Sequence, residues 1–195
     1  MKLASIAKTI HGQYGTGPLA FVRAFYYSFV SLNTFIVFEF NLRSEFLPYK
    51  STRDYQFASL ALEDLRSLRE QKSYPREFYM DSIGKLKCNQ VLMKNNQLVY
   101  IHWLRFPGDV GRFTRLKPGT VEITHLFTLP SERGKGLAGV AVAATVTMLK
   151  EQGFEKLIAI VHKGNIASIK TFEAVRFRPV MYLKALGQFN FKIDI

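Results

Sequence analysis

The stretch from Val121 to Gly139 combines residue types that suit a binding site for anions. β-Branched and aromatic residues alternate along Val121 to Leu129 with the two-residue period of a β-strand. A glycine-rich turn starts at Arg133 and leads into an apolar helical pattern. Helix N-terminal amides have no intrahelical partner and the helix dipole adds positive charge, so a phosphate can rest on the backbone of residues 134–138. Glycine suits this turn because a Cβ atom would hold the phosphate away.

The turn contains the spacing Arg133-x-x-Gly136-x-Ala138, which resembles the acyl-CoA signature of the GNAT acyltransferase superfamily. It lacks the Gly-Lys-Ser/Thr ending of a Walker loop and the Gly-x-Gly-x-x-Gly of a dinucleotide site. A plain glycine-rich helix entry is the alternative interpretation. The resemblance implies that the CoA pyrophosphate is held by Arg133, Gly134, Lys135, Gly136, Leu137 and Ala138.

A second motif, Asn165-x-x-Ser168-x-x-x-Phe172-x-x-x-Arg176-Phe177, follows the next predicted strand. It is similar to the GNAT pattern Asn-x-x-Ala/Ser-x-x-x-Tyr-x-x-x-Gly-Phe, in which the Asn side chain and its helix accompany the pantetheine arm. The resemblance thus implies cofactor contacts at Asn165, Ser168 and Phe172. Two motifs in the right order identify the chain as a member of the superfamily.

The second motif departs from the family pattern at two positions. Phe172 stands where many members have a tyrosine that can protonate the leaving thiolate, and its side chain has no proton to give. Simple packing in an apolar wall is the interpretation we favour for Phe172, so thiolate departure would rely on water or on Tyr182. Arg176 replaces a glycine, which costs about 1 kcal/mol if the position needs the left-handed conformation.

Glu122 is the predicted general base, because an amine acceptor must lose a proton before it attacks a thioester. It lies eleven residues before Arg133 and resembles in position the catalytic glutamate of the family's histone acetyltransferases. A strand carboxylate paired with an arginine is the alternative. His125 falls on the opposite strand face by the two-residue period, so we expect a core or helix-facing histidine there.

The resemblance also implies roles for the strand backbone after Glu122. Residues Leu126, Phe127 and Thr128 would pair with pantetheine, and the Leu126 amide would polarise the thioester carbonyl in an oxyanion-type role.

The order of patterns predicts an α/β fold with a mixed β-sheet flanked by helices, resembling the GNAT fold over residues 34–195. We expect strands at residues 35–42, 86–93, 98–106, 121–129, 156–161, 177–186 and 189–193, and helices at 58–72, 75–83, 136–152 and 165–175. Residues 94–97 are expected to turn one hairpin, and Gly187-Gln188 a final one.

Residues 1–33 are expected to form an N-terminal aromatic helical appendage, with Phe21, Phe25, Phe29 and Leu32 at helical spacing. We favour packing of this helix on the domain core, and contact with a membrane surface or a partner is the alternative. Its apolar run is too short and too polar to span a bilayer, and glycines interrupt the order of a secretory signal.

Composition limits the class of protein and its partners. The 195 residues are 48% hydrophobic, enough for one full core, and carry a net charge of +12. This charge favours an anionic partner such as CoA, an acidic carrier protein or lipid headgroups, and the scattered cations disfavour nucleic acid. One cysteine, Cys88, excludes an intramolecular disulfide and suggests a cytoplasmic protein. Four scattered histidines suggest no metal site, and a homodimer remains open.

The sequence therefore predicts an N-acyltransferase that moves an acetyl or other short acyl group from acyl-CoA to a primary amine by direct attack. The favoured acceptor is a small-molecule amine or amino sugar, and a peptide or protein amine is second. Two alternatives remain: an acyltransferase whose donor is an acyl carrier protein, and a non-catalytic module that binds acyl-CoA.

Overall fold

The computed structural model describes residues 19, 22, 32–45, 54–70, 72–186 and 193–194. The strands are β1 (Leu32–Asn41), β2 (Gln56–Ala58), β3 (Cys88–Lys94), β4 (Gln97–Arg105), β5 (Thr114–Arg115), β6 (Thr120–Thr128), β7 (Lys156–His162), β8 (Arg178–Leu186) and β9 (Ile193–Asp194). The helices are α1 (Leu62–Glu70), α2 (Met80–Ile83), α3 (Leu137–Glu151) and α4 (Ile166–Ala174), with 3₁₀ turns at Arg76–Tyr79 and Pro130–Glu132.

Seven strands form one mixed sheet in the order β2-β3-β4-β6-β7-β1-β8. Every neighbouring pair is antiparallel except β6 and β7, which are parallel. A parallel pair needs a long crossover connection, and α3 supplies it. The predicted mixed α/β sheet flanked by helices is confirmed.

The turn between β3 and β4 shows how local sequence fixes the register of the sheet. Asn95 and Asn96 have φ angles of 50° and 59°, and Lys94 pairs directly with Gln97. Asparagine tolerates this left-handed conformation better than other non-glycine residues, and two such residues make the tight turn that matches strand twist. The predicted hairpin is therefore present.

Apolar clusters cover both faces of the sheet, and the two largest lie on opposite faces. One packs α3 and α4 on the central strands and includes Leu104, whereas the other packs α1 and the first 3₁₀ turn on β3 and β4 and includes Trp103. Trp103 and Leu104 are consecutive on β4 and their side chains point to opposite faces. The core thus lies in two layers with the sheet between them.

The predictions for the two ends of the chain are only partly covered by the described residues. Within the described residues, Ile193–Asp194 pairs in parallel with β5 rather than with β8, so the predicted final hairpin partner is not found there. The Gly187-Gln188 turn and most of the predicted appendage lie outside the described residues. No helix in the described part of the chain has the length and apolar character needed to cross a membrane.

A buried polar chain crosses the layer between β4 and α3. His102 Nδ1 lies 3.0 Å from the Tyr100 hydroxyl, and its Nε2 lies 3.1 Å from Thr145 Oγ1. Thr145 donates its hydroxyl proton to the Ala141 carbonyl, 2.9 Å away, so its oxygen must accept from His102. This assigns the neutral Nε2-H imidazole, with Tyr100 donating to Nδ1. Burial lowers the pKa of His102 to about 3.

Acidification should therefore destabilise the fold through His102. The folded-state pKa lies below the ordinary value of 6.5, so the unfolded chain binds the proton first, and stability is lost as pH falls from 6.5 towards 3. The expected slope of the unfolding free energy approaches about 1.4 kcal/mol per pH unit. Urea unfolding between pH 7 and 5 would measure it. A His102→Gln variant should show a smaller slope, and an unchanged slope would contradict this assignment.

Candidate active site

A cleft opens where the parallel strands β6 and β7 separate. Their pairing runs from Thr120 with Lys156 to Ile123 with Ala159 and then stops. β6 continues to pair with β4 as far as Thr128 opposite Tyr100, so its β7 side is left open among the described residues. Backbone donors and acceptors on that side are available to a ligand.

A β-bulge marks the start of the open segment. The register between β6 and β4 shifts between Ile101 and Trp103, and His125 adopts a φ of 51°. An extra residue in one strand breaks the two-residue alternation of side chains. His125 is consequently exposed, and the expectation of a core or helix-facing histidine is wrong. That expectation is based on the two-residue alternation of side chains along β6, which holds only as far as the bulge.

The cleft has a volume of about 570 Å³. Strand β6, the turn after it, the first turn of α3 and the first turns of α4 form its walls. It is lined by Glu77, Tyr100, Leu126, Phe127, Thr128, Glu132, Arg133, Gly134, Gly136, Leu137, Ala138, Gly139, Asn165, Ala167, Ser168 and Thr171.

The glycine-rich turn has the conformation that an anion cradle needs. Gly134 and Gly136 have φ angles of 79° and 73°, and a Cβ added to Gly134 would meet no atom within 4 Å. Gly136 precedes the first residue of α3, so the unpaired amides of Leu137 and Ala138 begin at the cleft wall. The turn therefore combines open space with free backbone donors.

Two cations of the turn have different surroundings. Arg133 lines the cleft, donates from Nε to the Thr128 carbonyl at 3.2 Å and covers the Phe127 ring. Lys135 does not line it, and its ammonium donates to Glu132 at 2.7 Å. That hydrogen bond raises the pKa of Lys135 and lowers the pKa of Glu132.

The second motif divides between the cleft and the core. Asn165 caps α4 by accepting from the Ser168 amide at 3.2 Å, and both residues line the cleft. Phe172 does not line it: the side chain is buried against Phe38 and Phe177, with ring centroids 6.0 and 5.0 Å away. The packing interpretation of Phe172 agrees with these contacts.

Glu122 lies in the part of β6 that is still paired with β7. It is 6% exposed, forms an ion pair with Arg105 directly across from it on β4, and accepts from Thr114 Oγ1 at 2.9 Å. Burial raises the pKa of Glu122, and Arg105 and Thr114 oppose that shift. The carboxylate does not line the cleft, and its contacts match the arginine-paired alternative. A role as general base stays a prediction.

Tyr182 is not brought to the cleft. It is 64% exposed on β8, at the edge of the sheet, with β7 and β1 between β8 and β6. Three strand spacings amount to about 14 Å. The strand order places Tyr182 far from the residues that line the cleft.

Four polar residues that line the cleft are absent from the predicted set: Glu77, Tyr100, Glu132 and Thr171. Glu77 reaches it because the Trp103 indole donates to the Glu77 carbonyl at 2.8 Å and anchors the 3₁₀ turn over β4. Such long-range packing leaves no spacing signal in the sequence. Thr171, in contrast, lies three residues after Ser168 on the same helix face, a relation that the sequence contains.

Comparison with known families settles the relationship of the chain. The model of the Acetyltransferase (GNAT) family matches residues 55–177. The chain belongs to the GNAT acetyltransferase family. A search of curated proteins found no match.

Solved structures share the GNAT fold at low sequence identity. A GNAT family protein from Novosphingobium aromaticivorans is 12% identical with a TM-score of 0.57, over 80% of this chain and 64% of that one. A GCN5-related N-acetyltransferase from Sphaerobacter thermophilus is 9% identical with a TM-score of 0.56, over 84% and 54%. The glucosamine N-acetyltransferase region of a fungal multi-domain β-N-acetylglucosaminidase is 13% identical with a TM-score of 0.54, over 78% and 20%. The chain thus spans less than two thirds of these relatives.

The position at which this GNAT chain has arginine in place of glycine does require the left-handed conformation. Arg176 has a φ of 68°, and its amide donates to the Glu173 carbonyl while the Phe177 amide donates to the Phe172 carbonyl, both at 2.9 Å. This is the Schellman ending of a helix, and the Phe172–Phe177 contact is its apolar component.

Arg176→Gly should therefore stabilise the protein by about 0.5–1 kcal/mol, since relief of left-handed strain exceeds the added entropy of the unfolded chain. Thermal unfolding would show a Tm higher by roughly 1–4 °C. Arg178→Gly, two residues later on the extended strand β8, is the matched control and should lower Tm. A fall in both variants would contradict the strain argument.

Glu122→Gln should destabilise the protein by roughly 3–5 kcal/mol, because the Arg105 charge would be left uncompensated in a buried site. The control is Glu39→Gln, which removes a more exposed partner of Lys156 at 2.9 Å and should cost at most about 1 kcal/mol. Urea unfolding at pH 7 compares the two variants. Equal small losses would show that the buried pair contributes little.

Proposed function

We propose that this protein transfers an acetyl or other short acyl group from acyl-CoA to a primary amine. The observation that carries the proposal is the coincidence, in one cleft, of the open edge of β6 with the glycine turn at the start of α3. Acyl-CoA needs both features. Backbone amides at the start of the helix would hold the charge of its pyrophosphate, and the free strand edge would form hydrogen bonds with the amides of its pantetheine arm. Family membership supports the same conclusion.

The pyrophosphate would rest on the backbone of residues 134–138, beside the Arg133 guanidinium. Open space at Gly134 supports this placement, since a phosphate would occupy the region in front of it. The pantetheine arm would run between the free edge of β6 at Phe127 and Thr128 and the start of α4 at Asn165 and Ser168. Both walls line the cleft.

The thioester would then lie near Leu126, whose amide would donate to the carbonyl oxygen as negative charge develops there. The acceptor amine attacks directly, after losing the proton it carries at neutral pH. Glu122 remains the sequence-based candidate for the base. The surroundings of Phe172 and Tyr182 favour water as the route by which the thiolate is protonated.

A small-molecule amine, and an amino sugar first of all, is the proposed acceptor. The similarity to a glucosamine N-acetyltransferase region supports glucosamine as the first compound to test. The net charge of +12 favours an acidic acyl carrier protein as a second donor, and salt-sensitive transfer from such a carrier would identify it. The lone Cys88 supports a cytoplasmic location.

Acetyl-CoA should raise Tm through the glycine turn, by roughly 5–10 °C at a hundredfold excess over Kd. Gly134→Asn should remove most of that shift, because its side chain would fill the open space of the cradle. Gly153→Asn is the matched control: Gly153 has a φ of 81°, its added Cβ also meets nothing within 4 Å, and it lies after the far end of α3. Asparagine tolerates this conformation, so both variants should fold.

Turnover would be followed as free thiol released from acetyl-CoA in the presence of a library of primary amines. Release with at least one amine, lost in Gly134→Asn and kept in Gly153→Asn, supports the proposal. A thermal shift without thiol release from any amine would favour the acyl-CoA-binding module. A shift that survives in Gly134→Asn would mean that the pyrophosphate is held elsewhere.

A further inference from the structure

The wall of the cleft beside Leu126 carries Glu77, held there by the packing of its 3₁₀ turn. The Trp103 indole fixes the Glu77 carbonyl at 2.8 Å, and the neighbouring Phe78 ring packs edge-on against Phe127 at 6.2 Å. The backbone of Glu77 is thus attached to β4 and β6, and this half-buried residue lines the cleft. This rigidity suits a group that must meet a ligand in one position.

Glu77 differs from the other acid of the cleft. Glu132 accepts from Tyr55 and from Lys135, each at 2.7 Å, so its charge is already matched. Among the described residues, no ion pair or side-chain hydrogen bond engages the Glu77 carboxylate. A cationic ligand would find an unneutralised carboxylate at this wall.

His125 borders the cleft rather than lining it: it directly precedes the lining residue Leu126 and is exposed at the bulge. Its imidazole keeps accessible surface, but enough protein surrounds it that desolvation lowers the pKa of His125 below 6.5. Glu77 raises that pKa, and Arg76 and Arg105 lower it further. The ring is therefore mainly neutral at pH 7 and has a lone pair for a proton.

We propose that Glu77 and His125 form the acceptor site, in which Glu77 binds the ammonium form of a primary amine and His125 removes one of its protons. The proposal rests on the function proposed above and deepens it, since it specifies an acceptor that is cationic in solution. The proposal also places the acceptor site apart from Glu122, which lies in the segment of β6 that is still paired with β7.

The reaction balances as follows. One ammonium proton moves to the His125 imidazole, and the neutral amine nitrogen forms a bond to the thioester carbon. The carbon–sulfur bond then breaks, and the second nitrogen proton goes to the CoA thiolate through water to give the thiol. His125 returns its proton to solvent through its exposed face, so one proton is released for each amide formed.

The test compares His125→Gln and Glu77→Gln with a control, Glu63→Gln, at an exposed position in the first turn of α1. Rates with a cationic alkyl amine would be measured from pH 6 to 10, alongside hydroxylamine, which is largely neutral at pH 7. His125→Gln should lower kcat for the alkyl amine by about 10²-fold or more at pH 7, with recovery at high pH and little loss for hydroxylamine. Glu77→Gln should chiefly raise KM for the cationic amine, and Glu63→Gln should resemble wild type.

All three variants should keep the thermal shift with acetyl-CoA, which shows that the cofactor site is intact. A wild type that binds acetyl-CoA but acylates no amine would overturn the proposed function and, with it, this acceptor site. Active wild type with unchanged His125→Gln and Glu77→Gln rates would overturn the acceptor site alone. A His125→Gln loss that is equal for both amines and at every pH would also overturn it, because such a loss reflects structure rather than proton removal.

Discussion

The limited pairing of β6 with β7 is the constraint on which the site depends. Residues 120–123 of β6 pair with β7, and the rest of the strand has no pairing on that edge in the part of the chain that the structure describes. An isolated strand would not keep such an edge open, but β4 pairs with β6 from the other side both before and after the bulge. The α3 crossover must start where β6 ends, which brings a helix N-terminus to the same opening. The end of the β6–β7 pairing therefore brings backbone amides of a strand and of a helix N-terminus to the same place.

The buried pair of Arg105 and Glu122 lies directly below this opening. It joins β4 to β6 across the sheet, and Thr114 adds β5 to the same cluster through its hydroxyl. A buried ion pair is weak evidence of stability, and here it lies at a defined register, with Arg105 directly opposite Glu122. The bulge at His125 comes three residues later and redirects the chain. The ion pair and the bulge thus follow one another on β6, on either side of the point where its pairing with β7 ends.

The parts of the site that the sequence predicts are those built from local backbone chemistry. The glycine turn and the Asn165 cap follow from residue type and spacing within one turn, and both line the cleft. The bulge depends on how β6 pairs with β4, so the two-residue period misassigned His125. Glu77 depends on a contact with Trp103, and the position of Tyr182 depends on a strand order in which β1 lies inside the sheet. These relations join residues far apart in the chain, and periodicity carries no information on them.

The phenylalanine in the family's second motif has a physical cause in the packing around it. The helix ending at Arg176 uses the contact between Phe172 and Phe177, and Phe38 closes the other side of the Phe172 ring. A tyrosine hydroxyl among these rings would be a buried polar group in need of a partner, at a cost of about 1–3 kcal/mol if it found none. Phenylalanine is thus the residue this packing favours. In the proposed reaction, the thiolate must consequently take its proton from the attacking nitrogen through water in the open cleft.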